Sequence, residues 1–304
     1  MSRTLAITGG TGFVGAALID RAVQAGHHVR ALTRRDQPAR EGVTWVAGSL
    51  DDAESLVALA KGADAVIHVA GVVNAPNAAG FTAGNVDGTR RMLDAALAAG
   101  VTRFVHVSSL SAREPQLSEY GRSKAEAEAL VTASELAWTI VRPPAVYGPG
   151  DMEMRDLFRL TAKGVALLPP GGRLSVIEVS DLARLLLTLA TTSEGARDTY
   201  EPDDGKPGGW SHKSFARAIG QAVGRERVLA LPIPARIMRL AARGDRLVRR
   251  GKAKLTLDRV GYFCHPDWVV SEGRMPPPTL WKPEVPTLAG LKRTAQWYRT
   301  RGLL

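Results

Sequence analysis

The chain has 304 residues, 45% of them hydrophobic, and a formal net charge of +10 at pH 7. It contains no run of about 18 uninterrupted apolar residues, and its start passes directly into an apolar strand pattern instead of a signal-peptide core. We therefore expect a cytoplasmic protein without a membrane span. The single cysteine, Cys264, excludes an intramolecular disulfide, which is consistent with a reducing compartment.

Short apolar runs alternate with helix-like segments over the first half of the chain. This alternation is typical of repeated β-α units, so we predict a doubly wound parallel sheet, an α/β fold of the Rossmann type. The predicted strands are 4–8, 29–32, 44–47, 65–69, 104–108 and 138–141. The predicted helices are 13–25, 52–59, 86–99 and 122–134.

The regular alternation stops after Gly148-Pro149-Gly150. Glycine and proline clusters interrupt the remainder of the chain at 169–172, 205–209 and 276–278. We therefore predict two domains, a larger one over residues 1–150 and a smaller α/β substrate-binding region over residues 151–304.

A glycine-rich turn joins the first predicted strand to the first predicted helix. Gly9 permits a tight turn, Gly12 lets a phosphate approach the backbone, and Gly15 lets helix and strand pack closely. The helix start adds N–H groups and the positive end of the helix dipole. This context favours a dinucleotide pyrophosphate site over a purely structural turn. The residues predicted to form it are Thr8, Gly9, Thr11, Gly12, Phe13, Val14 and Gly15.

The second predicted strand leads into Thr33-Arg34-Arg35, where a site that prefers NAD usually has an acidic residue for the adenosine ribose. A carboxylate there would repel a 2′-phosphate, whereas a guanidinium can pair with it. Arg34 and Arg35 therefore predict NADP (NADPH) as the cofactor, with NAD as the second choice. In the alternative interpretation both arginines are solvated loop charges, with Asp36 as a partner.

Tyr120 and Lys124 stand four residues apart, so a helix places them one turn from each other. A cation held close to a phenol favours the phenolate and brings the phenol pKa toward neutral, as acid–base catalysis requires. The spacing occurs often by chance, but Ser109 follows a predicted strand at the carboxyl edge of the sheet, where doubly wound folds bind ligands. We predict that Ser109, Tyr120 and Lys124 are catalytic, and we predict no metal ion.

Six segments, 8–15, 68–71, 85–89, 107–109, 120–124 and 142–151, occur in an order and spacing that resemble the extended short-chain dehydrogenase/reductase superfamily, the NAD-dependent epimerase/dehydratase family. The resemblance implies that Tyr120 is the general acid/base and that Ser109 orients the substrate oxygen. It implies that Lys124 lowers the pKa of Tyr120 and holds the nicotinamide ribose, and that Asn85 supports the site. Further cofactor contacts are expected from Leu50, Ala70, Gly71, Val107, Pro143, Ala145 and Val146.

The chain departs from the family pattern in two places. Gly48-Ser49-Leu50 replaces the frequent Gly-Asp-Leu, so the adenine contacts are expected to differ. The segment between Ser109 and Tyr120 is short, which predicts a more open or differently shaped substrate pocket.

The C-terminal half bears on the substrate. Sugar-nucleotide members place an arginine shortly before a strand that ends in Val-x-Asp; aligned on Asp181, this chain has Leu174 there and Arg173 one residue away. A shift of one residue reverses the face of a strand side chain, which weakens the sugar-nucleotide hypothesis. Segments 232–234, 235–254, 267–270 and 290–299 resemble the layout of bacterial proteins similar to 3β-hydroxysteroid dehydrogenases.

The leading hypothesis is therefore an oxidoreductase that transfers a hydride between NADP and a secondary alcohol or ketone, with a lipophilic substrate. A sugar-nucleotide epimerase or dehydratase is the enzymatic alternative. The third hypothesis is a non-catalytic NADP(H)-binding subunit. The complete set of Ser109, Tyr120 and Lys124 argues against it.

Much of the positive charge is local. Segment 235–254 has a single acid, Asp245, and eight basic residues: Arg236, Arg239, Arg243, Arg246, Arg249, Arg250, Lys252 and Lys254. No nucleic-acid signature accompanies them, so we expect no nucleic-acid partner. With Ile237, Leu240/Ala241 and Leu247/Val248 at helical steps, the segment predicts an amphipathic basic helix. It is interpreted either as a solvated lid, which we favour here, or as a peripheral contact with an anionic membrane.

Small and apolar residues also follow Asn85 and Tyr120. They predict a homodimer formed through two helices. The residues on which this prediction rests are Met92, Leu93, Ala96, Ala125, Ala127, Ala129 and Leu130.

Overall fold

A computed structural model describes residues 1–249 and 256–304, and the side chains of these residues except 246–249. The strands are β1 (Thr4–Thr8), β2 (His28–Thr33), β3 (Val43–Ala47), β4 (Ala65–His68), β5 (Arg103–Val107), β6 (Ala137–Val141), β7 (Ala145–Tyr147), β8 (Val165–Leu168), β9 (Arg173–Leu174), β10 (Val176–Glu178), β11 (Asp198–Tyr200), β12 (Trp210–Ser211), β13 (Leu229–Pro232) and β14 (Asp267–Trp268).

The α-helices are α1 (Phe13–Gln24), α2 (Ala53–Ala60), α3 (Ala78–Phe81), α4 (Gly88–Ala98), α5 (Glu119–Ala133), α6 (Arg155–Ala162), α7 (Val179–Thr191), α8 (His212–Ala222), α9 (Ala235–Arg249), α10 (Leu257–Phe263) and α11 (Thr287–Thr300). A π-helical turn covers Thr82–Asp87, and short 3-10 turns cover Leu110–Arg113 and Glu272–Arg274. Within the described ranges 1–249 and 256–304, no helix has both the length and the apolar character needed to cross a bilayer.

The central sheet has seven parallel strands in the order β11-β6-β5-β4-β1-β2-β3. The predicted doubly wound α/β fold is therefore confirmed. The inner strands β4 and β5 are buried along their whole lengths, as expected for a parallel sheet covered by helices on both faces. The strand order changes direction between β1 and β4, so ligands are expected at the carboxyl ends of these strands.

All six predicted strands form in this sheet, with bounds that differ from the predicted ones by at most one residue. The seventh, β11, was not predicted, because it comes from a part of the chain beyond the regular β-α alternation. The predicted helix 86–99 is instead the π-helical turn followed by α4. The predicted helix 122–134 begins earlier, at Glu119, because the hydroxyl of Ser118 accepts a hydrogen bond from the Gly121 N–H and caps the helix.

The chain forms two compact units. The first comprises Met1–Pro143, Ser180–Pro202 and Arg274–Lys282, and the second comprises Pro144–Val179, Asp203–Gly273 and Pro283–Leu304. The chain thus enters each unit several times, whereas the sequence predicts a single boundary after residue 150. A change in the pattern of strands, glycines and prolines can indicate only a single boundary along the chain. Segments such as β11, which follow that boundary but belong to the first unit, are defined by tertiary contacts.

Each unit has its own hydrophobic core. In the first, residues of the sheet such as Phe104 and Ile140 pack with Met92 of α4. In the second, Phe158 and Tyr298 meet edge to face, with ring centroids 5.1 Å apart. Small sheets cover this second core: β7 pairs with β10, β8 with β13, and β9 with β12 and β14.

The core of the first unit corrects the residue assignment of the predicted dimer interface. Met92, Leu93, Ala96 and Ala127 are all buried inside the unit. They are therefore not surface residues that a second copy could contact. Of the seven residues named for this interface, Ala125, Ala129 and Leu130 keep some exposure.

Candidate active site

The turn between β1 and α1 is compact because two of its glycines lie against backbone. Gly9 has a φ of +72°, and a Cβ atom there would lie 2.7 Å from the backbone nitrogen of Ala70. A Cβ atom on Gly15 would overlap the carbonyl oxygen of Gly9. At Gly12, by contrast, an added Cβ would meet only the Gly9 oxygen, at 3.3 Å. The space beside Gly12 is therefore open.

The open side of this turn is the N-terminus of α1. Gly12 is the N-cap residue, and no side chain within residues 1–249 and 256–304 caps the helix there. The N–H groups of Phe13, Val14 and Gly15 have no acceptor within the helix, because an α-helix leaves its first donors unpaired. Thr11, beside them, is exposed. A pyrophosphate would supply the missing acceptors and the negative charge that the helix dipole favours, so these residues fit a dinucleotide.

Arg34 and Arg35 follow β2 on an exposed turn. The turn is shaped by Thr33, whose Oγ1 accepts from the Arg35 N–H over 3.2 Å and donates to the Arg35 carbonyl over 2.6 Å. Among the described residues no ion pair involves Arg34, Arg35 or Asp36, so Asp36 is not the partner that the alternative interpretation assigned to the two arginines. Leu50, after β3, is half-buried and packs toward Gly88 at the start of α4.

A chain of buried hydrogen bonds runs from β1 through β4 to α4. His68 Nδ1 lies 2.8 Å from Thr8 Oγ1, and His68 Nε2 lies 3.1 Å from Thr89 Oγ1. Thr8 Oγ1 also accepts from the Ala70 N–H over 3.1 Å, and Thr89 Oγ1 donates to the Asn85 carbonyl over 2.6 Å. Since the Thr89 hydroxyl hydrogen is used in this way, His68 carries its proton on Nε2 and accepts from Thr8 on Nδ1.

Burial keeps this imidazole neutral. It lowers the pKa of His68 to about 3, and the charge of Lys124 lowers the pKa further in the same direction. His68 is thus a fixed hydrogen-bonding bridge between the glycine-rich strand end and the Asn85 turn. The sequence analysis quoted His68 and Thr89 inside motifs and gave neither a role.

Asn85 lies in the π-helical turn and uses its whole amide. Its Oδ1 accepts from the Val72 N–H over 2.7 Å, and its Nδ2 donates to the Val72 carbonyl over 3.0 Å and to Ser123 Oγ over 2.9 Å. Ser123 Oγ in turn donates to the Tyr120 carbonyl over 2.8 Å. Asn85 therefore joins the loop after β4 to the first turn of α5, which carries Tyr120.

Lys124 is buried, and its Nζ donates to the carbonyl of Val107 at the end of β5 over 2.8 Å. A Cβ atom on Gly71 would lie 3.4 Å from this Nζ and 2.9 Å from Asn85 Oδ1, so Gly71 leaves room beside the ammonium. Burial lowers the pKa of Lys124 to about 8, although the nearby carboxylate of Glu128 acts in the opposite direction. Lys124, Gly71, Asn85 and Val107 are thus brought together.

Tyr120 is half-buried at the start of α5, and its ring lies 6.2 Å, between centroids, from the ring of Phe81. The next residue, Gly121, packs against the turn after β5: an added Cβ would lie 2.8 Å from the Ser111 carbonyl oxygen. The helix start that carries Tyr120 therefore lies directly against the turn that Ser109 begins.

Ser109 is the N-cap residue of that turn, Leu110–Arg113. Its Oγ accepts from the Ser111 N–H over 3.2 Å and from the Ser111 hydroxyl over 3.0 Å. Both contacts use Ser109 Oγ as an acceptor, so its own hydrogen remains available for a substrate oxygen. The Leu110 N–H donates to the Pro143 carbonyl over 3.0 Å, which ties Pro143 to the same turn.

A buried ionic cluster lies behind Ser109. Arg142 donates to both carboxylate oxygens of Glu128, over 2.8 Å and 2.6 Å, and lies 3.3 Å from the carboxylate of Glu201. Ser108 Oγ donates to the same Glu128 carboxylate over 2.5 Å, and Arg113 lies 3.4 Å from Glu201. Hydrogen bonding to Glu128 is the main cause that raises the pKa of Arg142. Sequence analysis missed this cluster, because its members are far apart in the chain.

Ala145 and Val146 belong to the second unit. They lie on β7, where they pair with Val176 and Ile177 of β10. Their contact with a nicotinamide stays a prediction.

The first unit thus combines a helix N-terminus with open space beside Gly12, a buried lysine one helical turn after a tyrosine, and a serine on the turn that packs against the same helix. Ser109, Tyr120 and Lys124 carry the donors that reduction of a carbonyl group or oxidation of an alcohol requires.

A family model described as NAD(P)H-binding matches residues 9–192, more than half of the chain. The chain belongs to this NAD(P)H-binding family.

Two curated relatives and one solved structure extend the comparison. A ceramide reductase of Caulobacter vibrioides (strain NA1000 / CB15N) is 37% identical over 314 aligned positions, which cover 99% of this chain and 96% of the relative. A 3 beta-hydroxysteroid dehydrogenase/Delta 5-->4-isomerase of Mycobacterium tuberculosis (strain CDC 1551 / Oshkosh) is 32% identical over 189 residues, 52% of this chain and 51% of the relative. MoeE5 in complex with UDP-glucose and NAD superposes with a TM-score of 0.73 at 23% identity, covering 100% of both chains.

The resemblance to the extended short-chain dehydrogenase/reductase superfamily is therefore confirmed. This NAD(P)H-binding protein is an NAD(P)-dependent enzyme of the short-chain dehydrogenase/reductase type. The likeness to MoeE5 bears on its fold alone.

Proposed function

We propose that the protein is an NADPH-dependent reductase that converts a ketone on a ceramide-like lipid into a secondary alcohol, with Ser109, Tyr120 and Lys124 as its catalytic residues. One observation carries the chemistry: Lys124 is buried and stands one helical turn after Tyr120 on α5, and the turn that begins at Ser109 packs against Gly121. The near full-length relative named ceramide reductase supports the substrate class.

The protein side of the reaction follows from the donors present. The hydride for the carbonyl carbon would come from NADPH held at the glycine-rich turn. The Tyr120 hydroxyl donates its proton to the carbonyl oxygen as negative charge develops there, and the Ser109 hydroxyl donates a second hydrogen bond. The Lys124 ammonium stabilises the phenolate that Tyr120 becomes, and together with Gly71 beside it would hold the nicotinamide ribose. Solvent returns a proton to Tyr120, so ketone, NADPH and one proton yield alcohol and NADP.

The preference for NADPH rests on Arg34 and Arg35. Both are exposed at the end of β2. In a Rossmann fold this is the position that faces the adenosine ribose, and paired guanidinium groups suit a 2′-phosphate.

Arg173 bears on the alternative, a sugar-nucleotide epimerase or dehydratase. Its guanidinium donates to the backbone carbonyls of Gly208 over 2.5 Å and Gly209 over 3.3 Å. These bonds hold the arginine against backbone of the second unit. This use of Arg173 favours the lipid substrate over a nucleotide diphosphate, which would need the same donors.

The full chain can be tested with NADPH, NADH and two classes of substrate. One is a ceramide whose secondary hydroxyl is oxidised to a ketone, presented in detergent micelles; the other is UDP-glucose. We expect the nicotinamide absorbance to fall with the keto-ceramide, and mass spectrometry to show a product heavier by two hydrogens. Turnover of UDP-glucose in its place would support the alternative. Tight NADPH binding without turnover of any carbonyl compound would support the third hypothesis, a non-catalytic NADP(H)-binding subunit.

We also propose that the enzyme is a homodimer through α4 and α5, although with fewer of the residues first named. Leu97 is 47% exposed, and Ala129 is exposed on α5. These outward positions, together with Leu130, offer the apolar surface that such a contact needs. Sedimentation velocity at micromolar concentration should show a dimer, and Leu97→Glu should shift it to a monomer. A monomeric parent protein would contradict the proposal.

A further inference from the structure

The second unit exposes an apolar face on a two-stranded ribbon. In the pair formed by β8 and β13, Leu231 lies opposite Leu167, and Leu229 lies opposite Val165. Leu229 is 60% exposed, Leu167 49% and Leu231 39%. Because side chains alternate along a strand, these leucines share one face, and Ala166 on the other face is buried in a core cluster with Ala216. The ribbon therefore presents three leucines outward.

The next element, α9, also exposes large apolar side chains on one face. Its inner face is lined by Met238 and the buried Ala242, and Met238 Sδ lies 3.9 Å from Cys264 Sγ, just after α10. Its outer face carries Ile237, 55% exposed, and Leu240, 68% exposed, at a spacing of three that places them side by side. The helix thus has large apolar side chains on the face that points away from its own core.

Arginines accompany the apolar residues of α9. Arg236, Arg239 and Arg243 are all exposed, next to Ile237 and Leu240. The other basic residues of segment 235–254 are Arg246, Arg249, Arg250, Lys252 and Lys254, and their side chains lie outside the described residues. Of the described side chains on this helix, Asp245 alone carries a negative charge, and it is half-buried.

Apolar side chains that are exposed together, with arginines beside them, are typical of helices that lie in the interface of a bilayer. Apolar groups enter the boundary of the acyl chains, while each basic residue near an anionic headgroup adds about 1 kcal/mol of attraction. Arginine can do both, since its stem is apolar and its charged end reaches the headgroups. A solvated lid would have no use for Ile237 and Leu240 on its outer face. A nucleic acid would use the arginines and gain nothing from the leucines.

We propose that the outer faces of α9 and of the β8–β13 ribbon together form a docking surface for an anionic lipid bilayer. The surface is defined by Leu167, Leu229, Leu231, Arg236, Ile237, Arg239, Leu240 and Arg243. This inference is independent of the substrate, because it concerns where the enzyme binds and not what it reduces.

Vesicle cosedimentation of the full chain tests the proposal. We expect the protein to sediment with vesicles of phosphatidylcholine and phosphatidylglycerol, and to bind pure phosphatidylcholine vesicles at least about tenfold more weakly, because the attraction of three arginines is lost. The double variant Ile237→Asp/Leu240→Asp should lose at least about tenfold in affinity for the mixed vesicles. The control Val57→Asp, which changes a 38% exposed residue of α2, should bind like the parent.

A second measurement separates insertion from electrostatic adherence. In a Cys264→Ser background, an environment-sensitive dye on Leu240→Cys should shift to the blue on mixed vesicles, and the same dye on Val57→Cys should not. Thermal unfolding and far-UV circular dichroism, unchanged in Ile237→Asp/Leu240→Asp, report that the variant is folded.

Three results would overturn the proposal. The first is no sedimentation with the anionic vesicles. The second is equal binding by Ile237→Asp/Leu240→Asp together with no dye shift at residue 240, which would leave only non-specific charge attraction. The third is binding to duplex DNA that exceeds binding to vesicles and survives the double substitution, which would assign the surface to nucleic acid. None of these results depends on turnover, so failure here is distinguishable from failure of the proposed reaction.

Discussion

Asn85 Nδ2 donates to Ser123 Oγ over 2.9 Å, and the Ser123 hydroxyl donates onward to the carbonyl of Tyr120 over 2.8 Å. On its other side, the carbonyl of Asn85 accepts from Thr89, which His68 joins to Thr8. A continuous set of buried hydrogen bonds therefore connects the glycine-rich turn to the helix that carries the proposed acid. Displacement at either end would break bonds in the interior, so the network holds the cofactor side and the catalytic side in register.

Ser123→Ala tests this network. The substitution removes the acceptor of one Asn85 amide hydrogen, at a position that is 1% exposed. An unsatisfied buried group costs about 1–3 kcal/mol, so we expect urea unfolding to show a loss in that range. Ser134→Ala is the matched control, since Ser134 Oγ donates to the Val131 carbonyl at the half-buried end of the same helix. Equal losses for the two variants would contradict the special role of Ser123.

The two parts of this site differed in how well the sequence predicted them. The glycine turn, Ser109, Tyr120 and Lys124 lie in local patterns whose spacing has a direct geometric meaning. The roles of His68 and Ser123 depend on bonds between residues far apart in the chain, and local periodicity carries no record of such bonds. The same reason explains the unpredicted β11 and the π-helical turn at Asn85, whose amide is bonded to Val72.

Four of the seven residues assigned to the predicted dimer interface were wrong for a related reason. Small and apolar residues on α4 suit a helix interface and a sheet-facing core equally well, and sequence pattern does not separate these uses. Met92, Leu93 and Ala96 are in the core. The predicted start of α5, at residue 122, was late, although Ser118 followed by Glu119 is a recognisable capping signal that places the helix start before Tyr120.

Arg34→Ala tests the cofactor preference. Loss of a charge-assisted contact with the 2′-phosphate costs about 1.5–3 kcal/mol, so the Kd for NADPH should rise by about tenfold or more while the Kd for NADH stays unchanged. Fluorescence titration measures both. Arg40→Ala is the control: this arginine belongs to the same segment but pairs with Asp20 over 2.7 Å, and its removal should leave both Kd values alone. Equal affinity of the parent enzyme for the two cofactors would refute the preference.

Arg142→Met tests the ionic cluster behind Ser109. Methionine preserves much of the packing but leaves the buried carboxylates of Glu128 and Glu201 without their shared cation. Breaking a buried pair in this way costs about 3–5 kcal/mol, which chemical denaturation should show as a lower midpoint. The contrasting variant is Arg122→Met. Arg122 also pairs with two carboxylates, those of Glu119 and Glu126, but on the exposed face of α5, so its loss should change stability little.

Tyr120→Phe tests the acid. Phenylalanine keeps the ring that packs near Phe81 but has no proton to donate, so kcat with the keto-lipid should fall by at least about two orders of magnitude. The Kd for NADPH should change little, since the opening at α1 and the arginines after β2 are untouched. Near-normal kcat in this variant would remove Tyr120 from the mechanism.

Lys124→Met tests the buried ammonium through stability as well as activity. Burial lowers the pKa of Lys124 in the folded protein to about 8 from an ordinary value of 10.5. Below pH 8 the folded protein must hold a charged group in a buried site, and this destabilises it by on the order of 3 kcal/mol. Above pH 10.5 the amine is neutral in both the folded and the unfolded state, and the penalty disappears.

The methionine variant carries no such penalty. Its free energy of unfolding relative to the parent should therefore be most favourable near pH 7 and should decline, by on the order of 3 kcal/mol, as the pH rises from about 8 to 10.5. The lost hydrogen bond to the Val107 carbonyl lowers the free energy of unfolding of the variant equally at every pH, so it does not change this pH dependence. Lys61→Met, at an exposed position after α2, should give a flat difference over the same range. If the cation holds the nicotinamide ribose, Lys124→Met should also lose both turnover and NADPH affinity. A flat difference in the free energy of unfolding for Lys124→Met would contradict the burial of a charged ammonium and would mean that it is solvated in the absence of cofactor.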